Sequence, residues 1–318
     1  HDIDKWHLFK EYNAQDVVTE MEDYRRLSAY PVPGWVQDDW VIDYELNRRG
    51  IQLDMDLVRG ALAIDDQHKT ELVEKAIQIT GLTNPNSRNQ LLTWINDNSD
   101  LKLEKLTKET VAESLQIAED QVAEVLHIRR ALAKSSISKY ESMKNAVCAD
   151  GRIRGVLQFY GANRTGRWAG RLVQVQNLPH DVPVAMDTAI RLVKNGNARG
   201  VKLMYGHIST SLSHLIRAAF VAPEGSLLCV SDFSAIEARV LSWLADEKWR
   251  QDVFAKGGDI YCASASSMFG VPVEKHGING HLRQKGKVAE LALGYQGGPP
   301  ALITMGALKQ GLTEDELP

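Results

Sequence analysis

Asp232 stands at the end of a short apolar run, SLLCVS (226–231), and a helical run, AIEARVLSWLA, follows after Phe233 and Ser234. That pattern predicts a buried strand delivering the carboxylate at its C-terminal end, with Glu237 and Arg239 near the start of the next helix. A carboxylate so placed suits Mg²⁺ and phosphate chemistry, because a hard cation takes oxygen ligands. The segment by itself reads equally well as an aspartate capping a helix.

A second set recurs every four residues: Arg283, Lys287, Leu291 and Tyr295, within GHLRQKGKVAELALGYQGG (280–298). On a helix these form one slowly drifting stripe, roughly 18 Å long at about 1.5 Å per residue. That length lets two cations meet a triphosphate while Leu291 and Tyr295 lie against a sugar and a base. Taken alone, a basic pair four apart more often marks a solvated turn followed by a buried apolar one. A third set, Thr165-Gly166-Arg167 followed by Gln176-Asn177-Leu178-Pro179, places a guanidinium and two amides in irregular backbone. The planar donors of arginine suit minor-groove acceptors and sugar oxygens.

These side chains need elements to hold them. Residues 1–30 predict a helix with Val17, Val18, Met21 and Leu27 roughly on one face, and Tyr30-Pro-Val-Pro-Gly34 a linker. A second helix, WVQDDWVIDYELNRR, stops at Gly50, and Asp54 caps a long third one running through Ile79. TNPNSRNQ (83–90) interrupts before LLTWIND. Helical spacing resumes from about Thr110 to Tyr140, through Val111, Leu115, Val122, Val125, Leu126 and Leu132. Near Ala149 the character changes. Asp150-Gly151 is a hairpin-type turn signal, and RIRGVLQFYG has strand composition. GANRTGRWAGRL is too glycine-rich and basic for a regular element. Beyond Ala235 the pattern is helical with glycine-rich breaks.

The chain has 318 residues, 44% apolar and 25% charged, which suits two or three structural units with buried cores. Those fractions argue against a disordered, collagenous or coiled-coil chain. No apolar run approaches the ~20 residues that span a bilayer, and the first thirty residues hold no signal-peptide segment. Cys148, Cys229 and Cys262 give neither a disulfide framework nor zinc-ligand spacing, which fits a reducing, intracellular compartment. The net charge of −4 is unevenly spread: Arg129–Arg171 holds ten basic residues against Glu141 and Asp150, a net of +8. That stretch reads either as a local phosphate contact or as a solvated helix face followed by a basic loop.

In this order, the three sets resemble the polymerase domain of family A DNA polymerases, the bacterial DNA polymerase I and phage group. SDFSAIEAR resembles motif A, RQKGKVAELALGYQG motif B, and TGRWAGRLVQVQNLP the segment that holds the primer–template. TNPNSRNQLLTWI resembles the tip of the thumb, and IRRALAKSSISKY the thumb helix leading into the palm. Tyr12 and Asp16 in KEYNAQDV resemble motif III of the 3′–5′ exonuclease domain. GKVAELALGYQGG is more similar to prophage-encoded members than to host repair enzymes.

The resemblance implies an α+β, predominantly helical fold of right-hand polymerase architecture, with an incomplete palm. Residues 1–34 would be the end of an exonuclease domain plus linker, and 35–79 the helical start of the polymerase domain. The thumb would take 80–145, the first part of the palm 146–245, and the fingers 246–318. The implied reaction joins a deoxynucleotide to a primer 3′-hydroxyl, with two Mg²⁺ ions as cofactors. Asp232 and the Phe233 carbonyl would ligate metal, and Glu237 would exclude a 2′-hydroxyl. Arg283 and Lys287 would hold the triphosphate, Lys287 also protonating pyrophosphate, while Tyr295 lies at the templating position. Arg167, Gln176 and Asn177 would sit near the primer terminus, with Arg164, Arg171, Lys134 and Lys139 as further DNA contacts. Primer–template DNA and dNTP are the implied partners of a monomer in the cytoplasm of a bacterial or phage-infected cell.

Several positions depart from the family pattern. Leu291 stands where an aromatic residue stacks on the sugar, Tyr261 where a histidine contacts phosphate, and Gln296 where glycine follows the motif B tyrosine. The sequence to Pro318 contains no H-D-E of motif C, the second metal-binding carboxylate. One carboxylate cannot fix two cations in register, so this chain alone is expected not to extend a primer. The alternatives are a DNA-gripping module without chemistry and, with one acidic motif of three present, an exonuclease.

Overall fold

The computed structural model describes residues 2–133 and 137–308. The chain divides into two compact units, His1–Leu228 and Cys229–Pro318. Its class is the expected predominantly helical α+β.

The first unit opens with helices α1 (Ile3–Leu27) and α2 (Gly34–Arg49). Asp2 caps α1 by accepting the Lys5 N–H at 3.2 Å. No residue of α1 is buried, so the apolar face expected there packs against nothing among the described residues. A short strand, β1 (Ile51–Leu53), leads to α3 (Met55–Thr80), whose first turn is capped by Asp54 through the Leu57 N–H at 3.1 Å. Helix α3 is the spine of the main core. Its Leu57, Val58, Ala61 and Ile64 are buried with Ile153, Val193, Leu212 and Leu215, each large side chain stabilising by about 1.5–3 kcal/mol.

A smaller core joins α4 (Arg88–Asp97), α5 (Lys108–Ser114) and α6 (Asp120–Leu132) through Leu91, Ile95, Val111, Val125 and Leu126. The single helical stretch expected over about 110–140 is thus three pieces, the third being α7 (Ser138–Ala146). One straight helix of that length would extend about 45 Å and could not bring Val111 and Val125 to the same core. The chain turns at 115–119, where Asp120 takes φ +46, and each short helix keeps its own apolar face. Tyr140 of α7 is fully buried and donates its hydroxyl to the Leu212 carbonyl at 2.8 Å.

The Asp150-Gly151 turn forms as expected, with the Cys148 N–H donating to the Arg152 carbonyl at 2.8 Å. It opens β2 (Arg152–Ile153). Next, GANRTGRWAGRL proves regular, contrary to its glycine content. It completes an antiparallel hairpin of β3 (Leu157–Ala162) and β4 (Arg167–Gly170). The glycines serve the pairing: a Cβ at Gly161 would stand 2.4 Å from that of Ala169. Helix α2 anchors the hairpin. The Asn47 side chain donates to the Leu157 carbonyl at 3.0 Å and accepts its N–H at 3.1 Å, while the Trp168 indole donates to Asp43 at 2.8 Å. Helices α8 (Met186–Lys194), α9 (Ala198–Tyr205) and α10 (Ile208–His214) follow. Then β5 (Phe220–Val221) closes an antiparallel sheet in the order β2-β1-β5.

The second unit contains α11 (Ile236–Leu244), α12 (Lys248–Ala255), α13 (Ile260–Phe269), α14 (Arg283–Gly294) and α15 (Pro299–Thr304). The buried strand expected at 226–231 does not form: the segment is irregular, with Leu227 90% and Val230 92% exposed. A strand needs a neighbour for its N–H and C=O groups, and no described strand pairs with this one. Composition alone had suggested it.

Candidate active site

Helix α14 is fixed at its first residue. Asp259 caps α13, one carboxylate oxygen accepting the N–H groups of Tyr261 at 2.9 Å and Cys262 at 3.2 Å. Its other oxygen accepts from Nε of Arg283 at 2.8 Å. Partial burial pushes the Asp259 carboxyl up, but the Arg283 guanidinium and the two amides outweigh this and hold it below the usual carboxylate range. The guanidinium of Arg283 also lies over the Tyr261 ring, 5.2 Å from its centroid. Helices α13 and α14 approach closely because residue 286 is glycine; a Cβ there would stand 2.2 Å from the Tyr261 carbonyl oxygen.

Further along α14, the Glu290 side chain is only 8% exposed and accepts from Nη2 of Arg250 at 2.7 Å and from the Ser264 hydroxyl. Arg250 also bonds Glu247, and its guanidinium lies 4.4 Å from the Trp249 ring centroid. Burial lowers the Arg250 pKa, yet Glu290 and Glu247 outweigh it and raise the value above the ordinary one. One buried carboxylate therefore ties α12, α13 and α14 together.

A cavity of about 510 Å³ opens in this unit, lined among others by Asp232, Phe233, Glu237, Tyr261, Leu291 and Tyr295. Asp232 lies in the exposed loop before α11. Arg239 holds that loop: its Nε donates to the Ser234 carbonyl at 2.8 Å, and its guanidinium sits 4.3 Å from the Phe254 ring centroid. Glu237, in the first turn of α11, accepts the hydroxyl of Tyr295, which caps the end of α14. Residues more than fifty positions apart in sequence thus share one wall.

Arg283 and Lys287 do not line the cavity. A four-residue step turns a helix by about 40° beyond a full turn, so three steps carry the stripe well round α14. Arg283 reaches the cavity only through Tyr261. Arg250 and Glu290, which do line it, escaped the sequence reading. The available signal was Glu290 itself, a lone acid inside the apolar run VAELALGY.

In the first unit Arg167 lies on β4 and Arg164 in the turn before it. Gln176 and Asn177 fall in a 3-10 turn, Val175–Asn177. The Gln176 amide rests against Gly170, where a Cβ would stand 2.0 Å from its Oε1. Arg217 donates to the Leu178 and Pro179 carbonyls at 3.1 and 3.3 Å, fixing the segment that follows. The Lys139 ammonium is engaged by the Val173 carbonyl at 2.6 Å, and Arg171 is exposed. Within the +8 segment Arg154 pairs with Asp150 at 2.6 Å and lowers its pKa to about 2. Lys134 lies outside the described residues. Tyr12 and Asp16 are exposed, one turn apart on α1.

Among the described residues no group of three His, Cys, Asp or Glu side chains could hold a metal ion. Asp232 and the Phe233 carbonyl offer too few oxygens for the near-octahedral shell of Mg²⁺. These residues do not by themselves fit a two-ion site.

The model of DNA polymerase family A matches residues 63–309. The chain belongs to that family. It is 50% identical over its whole length to a DNA polymerase of Bacillus phage SP02, of which it covers 49%. It is also 28% identical, over 77% of its length, to a thermostable DNA polymerase I of Thermus thermophilus, covering 27% of that protein. The chain thus spans about half the length, or less, of these curated relatives. Among solved structures it resembles the polymerase domain of Pol1 from M. smegmatis, captured with DNA primer–template and dNTP. The TM-score is 0.55 at 19% identity, over 84% of this chain and 42% of that one. The likeness is to a predominantly helical fold, as here, where the described residues add a three-stranded sheet and a two-stranded hairpin. No described helix is long and apolar enough to cross a membrane.

Proposed function

We propose that this chain serves template-directed DNA synthesis, in which a primer 3′-hydroxyl attacks a dNTP and pyrophosphate leaves. The observation that carries the reading is the shared cavity: Asp232 and Glu237 of motif A meet Tyr261, Leu291 and Tyr295 around one space, with Glu237 bonded to Tyr295. Its volume suits a nucleoside. Glu237 bounds the sugar, so a 2′-hydroxyl meets a carboxylate already engaged by Tyr295, which lies at the templating position. Leu291 offers an aliphatic surface in place of a stacking ring. Arg283, oriented by Asp259, and Lys287 take the triphosphate at the margin of the cavity, where Tyr261 adds a hydroxyl.

Arg167, Gln176 and Asn177 contact the primer end, and Arg164, Arg171, Lys134 and Lys139 the backbone. Residues 1–34 derive from an exonuclease domain and linker, 35–79 begin the polymerase domain, 80–145 form the thumb, 146–245 palm, and 246–318 fingers. In the complete enzyme Asp232 would be one ligand of Mg²⁺, which would supply charge stabilisation at the phosphates. The working form is a monomer inside a bacterial or phage-infected cell.

The few oxygen ligands beside Asp232 among the described residues support a second reading for this chain alone: DNA binding without chemistry. Purified chain, primer–template and labelled dNTP decide between them. Expected are no incorporation and a DNA affinity that falls steeply with salt. Incorporation that disappears in Asp232→Ala would overturn the inactive reading, and an affinity unchanged between low and moderate salt would overturn the phosphate contacts.

A further inference from the structure

The β3–β4 hairpin carries a backbone outlier that the roles above leave unused. Tyr160 has φ +51, within a stretch of β3 where pairing with β4 shifts register between Gln158 and Ala162. A positive φ is costly for a bulky side chain. Bulges of this kind re-aim a side chain out of the strand's alternation. Here the ring is laid on the turn: a Cβ at Gly166 would stand 2.8 Å from Cε2 and 3.2 Å from Cζ of Tyr160. Yet Tyr160 remains 54% exposed. The ring rests on Gly166 and touches Phe159, and the remainder is open to solvent.

The neighbouring rings behave differently. Phe159 and Trp168 meet edge to face at 5.3 Å, and Trp168 is bonded to Asp43. Those two hold the hairpin together; among the described rings Tyr160 meets only that of Phe159, tilted at 6.0 Å, and more than half of it stays exposed. Exposed Arg164 and Arg167 stand on either side of Gly166 in sequence, on the turn against which the Tyr160 ring is laid.

A nucleic-acid strand alternates an anion with a furanose ring, and this surface complements that alternation. Inside a duplex the base faces are stacked on one another, which leaves the sugar as the accessible apolar face along a groove. We propose that Tyr160 is a DNA contact in its own right. Its open ring face takes a deoxyribose of the primer–template duplex, between the phosphate contact of Arg164 and the minor-groove contact of Arg167. The inference rests on the reading that this hairpin holds DNA, and it adds a residue outside the Thr165-Gly166-Arg167 motif.

Tyr160→Gly tests it without endangering the fold, because glycine adopts φ +51 at no steric cost. The readout is affinity of the 318-residue chain for a fluorescent primer–template duplex across a salt series. Tyr160→Gly should bind about tenfold more weakly with an unchanged salt slope, since an uncharged contact releases no counterion. Tyr160→Phe should bind like the unmodified chain. Arg164→Ala should instead reduce the slope by about one. Equal affinity for Tyr160→Gly and unmodified chain would overturn the proposal, as would a loss in Tyr160→Phe as large as in Tyr160→Gly. Absence of any binding by the unmodified chain would overturn the DNA reading itself, and the proposal with it.

Discussion

The Tyr295 hydroxyl donates to the Glu237 carboxylate, joining the end of α14 to the first turn of α11 across 58 positions of sequence. This bond fixes the carboxylate that is proposed to face the nucleotide sugar. Glu237→Ala should therefore relax sugar selection. In the presence of primer–template, dATP is expected to bind the chain more tightly than ATP, and the substitution should shrink that preference by about tenfold. Competition binding with both nucleotides measures it; an unchanged ratio would remove Glu237 from the sugar site.

The Glu290–Arg250 pair should matter to stability more than any surface pair in the chain. Removing one partner of a buried pair leaves a desolvated charge, at about 3–5 kcal/mol when nothing else compensates. Glu247 also binds Arg250, so Glu290→Ala should cost roughly 2–4 kcal/mol in urea unfolding of the second unit. Arg250→Met combined with Glu290→Leu should recover most of the loss. A double variant as unstable as the single one would contradict this.

The acid dependence of the Asp259–Arg283 bond has a definite sign. The folded Asp259 pKa lies below its unfolded value, so its contribution is complete above the ordinary aspartate range near pH 4. It declines as pH falls through the lower folded value. Asp259→Asn should remove that dependence and loosen Arg283. Unfolding midpoints of both proteins between neutral and acid pH provide the check, and parallel curves would count against the bond.

Asp43 should be needed for the hairpin. It is nearly buried and accepts both the Trp168 indole and the Asn47 amide. Asp43→Ala leaves the Trp168 indole without its acceptor, while Asn47 keeps the Leu157 carbonyl, at about 1–3 kcal/mol. Loss of DNA affinity alongside loss of stability is expected, because Arg167 opens β4, the strand that Trp168 anchors. A stability change under half a kilocalorie would show that water replaces the carboxylate.

Much of this was legible in the residues. The resemblance to motifs A and B implies one site for Asp232, Glu237, Leu291 and Tyr295, and all four line one cavity; caps such as Asp54 mark helix starts. What periodicity could not convey was partnership. The apolar run at 226–231 has strand composition but no ladder beside it, and the glycine-rich 161–170 segment pairs because α2 supplies Asp43 and Asn47 as anchors. Over 110–140 the helical period survived the breaks because each short helix buries its own face, α5 and α6 on the smaller core and α7, through Tyr140 and Met143, on the main one. Glu290 carries its meaning only through Arg250, forty positions away.

The most direct test places this chain in the position of its matching half within the Bacillus phage SP02 polymerase and measures labelled dNTP incorporation on a primer–template. The hybrid should add the template-matched nucleotide, and Asp232→Ala should abolish the addition while leaving DNA binding in place. A folded hybrid that incorporates nothing, or one whose activity survives Asp232→Ala, would contradict the account.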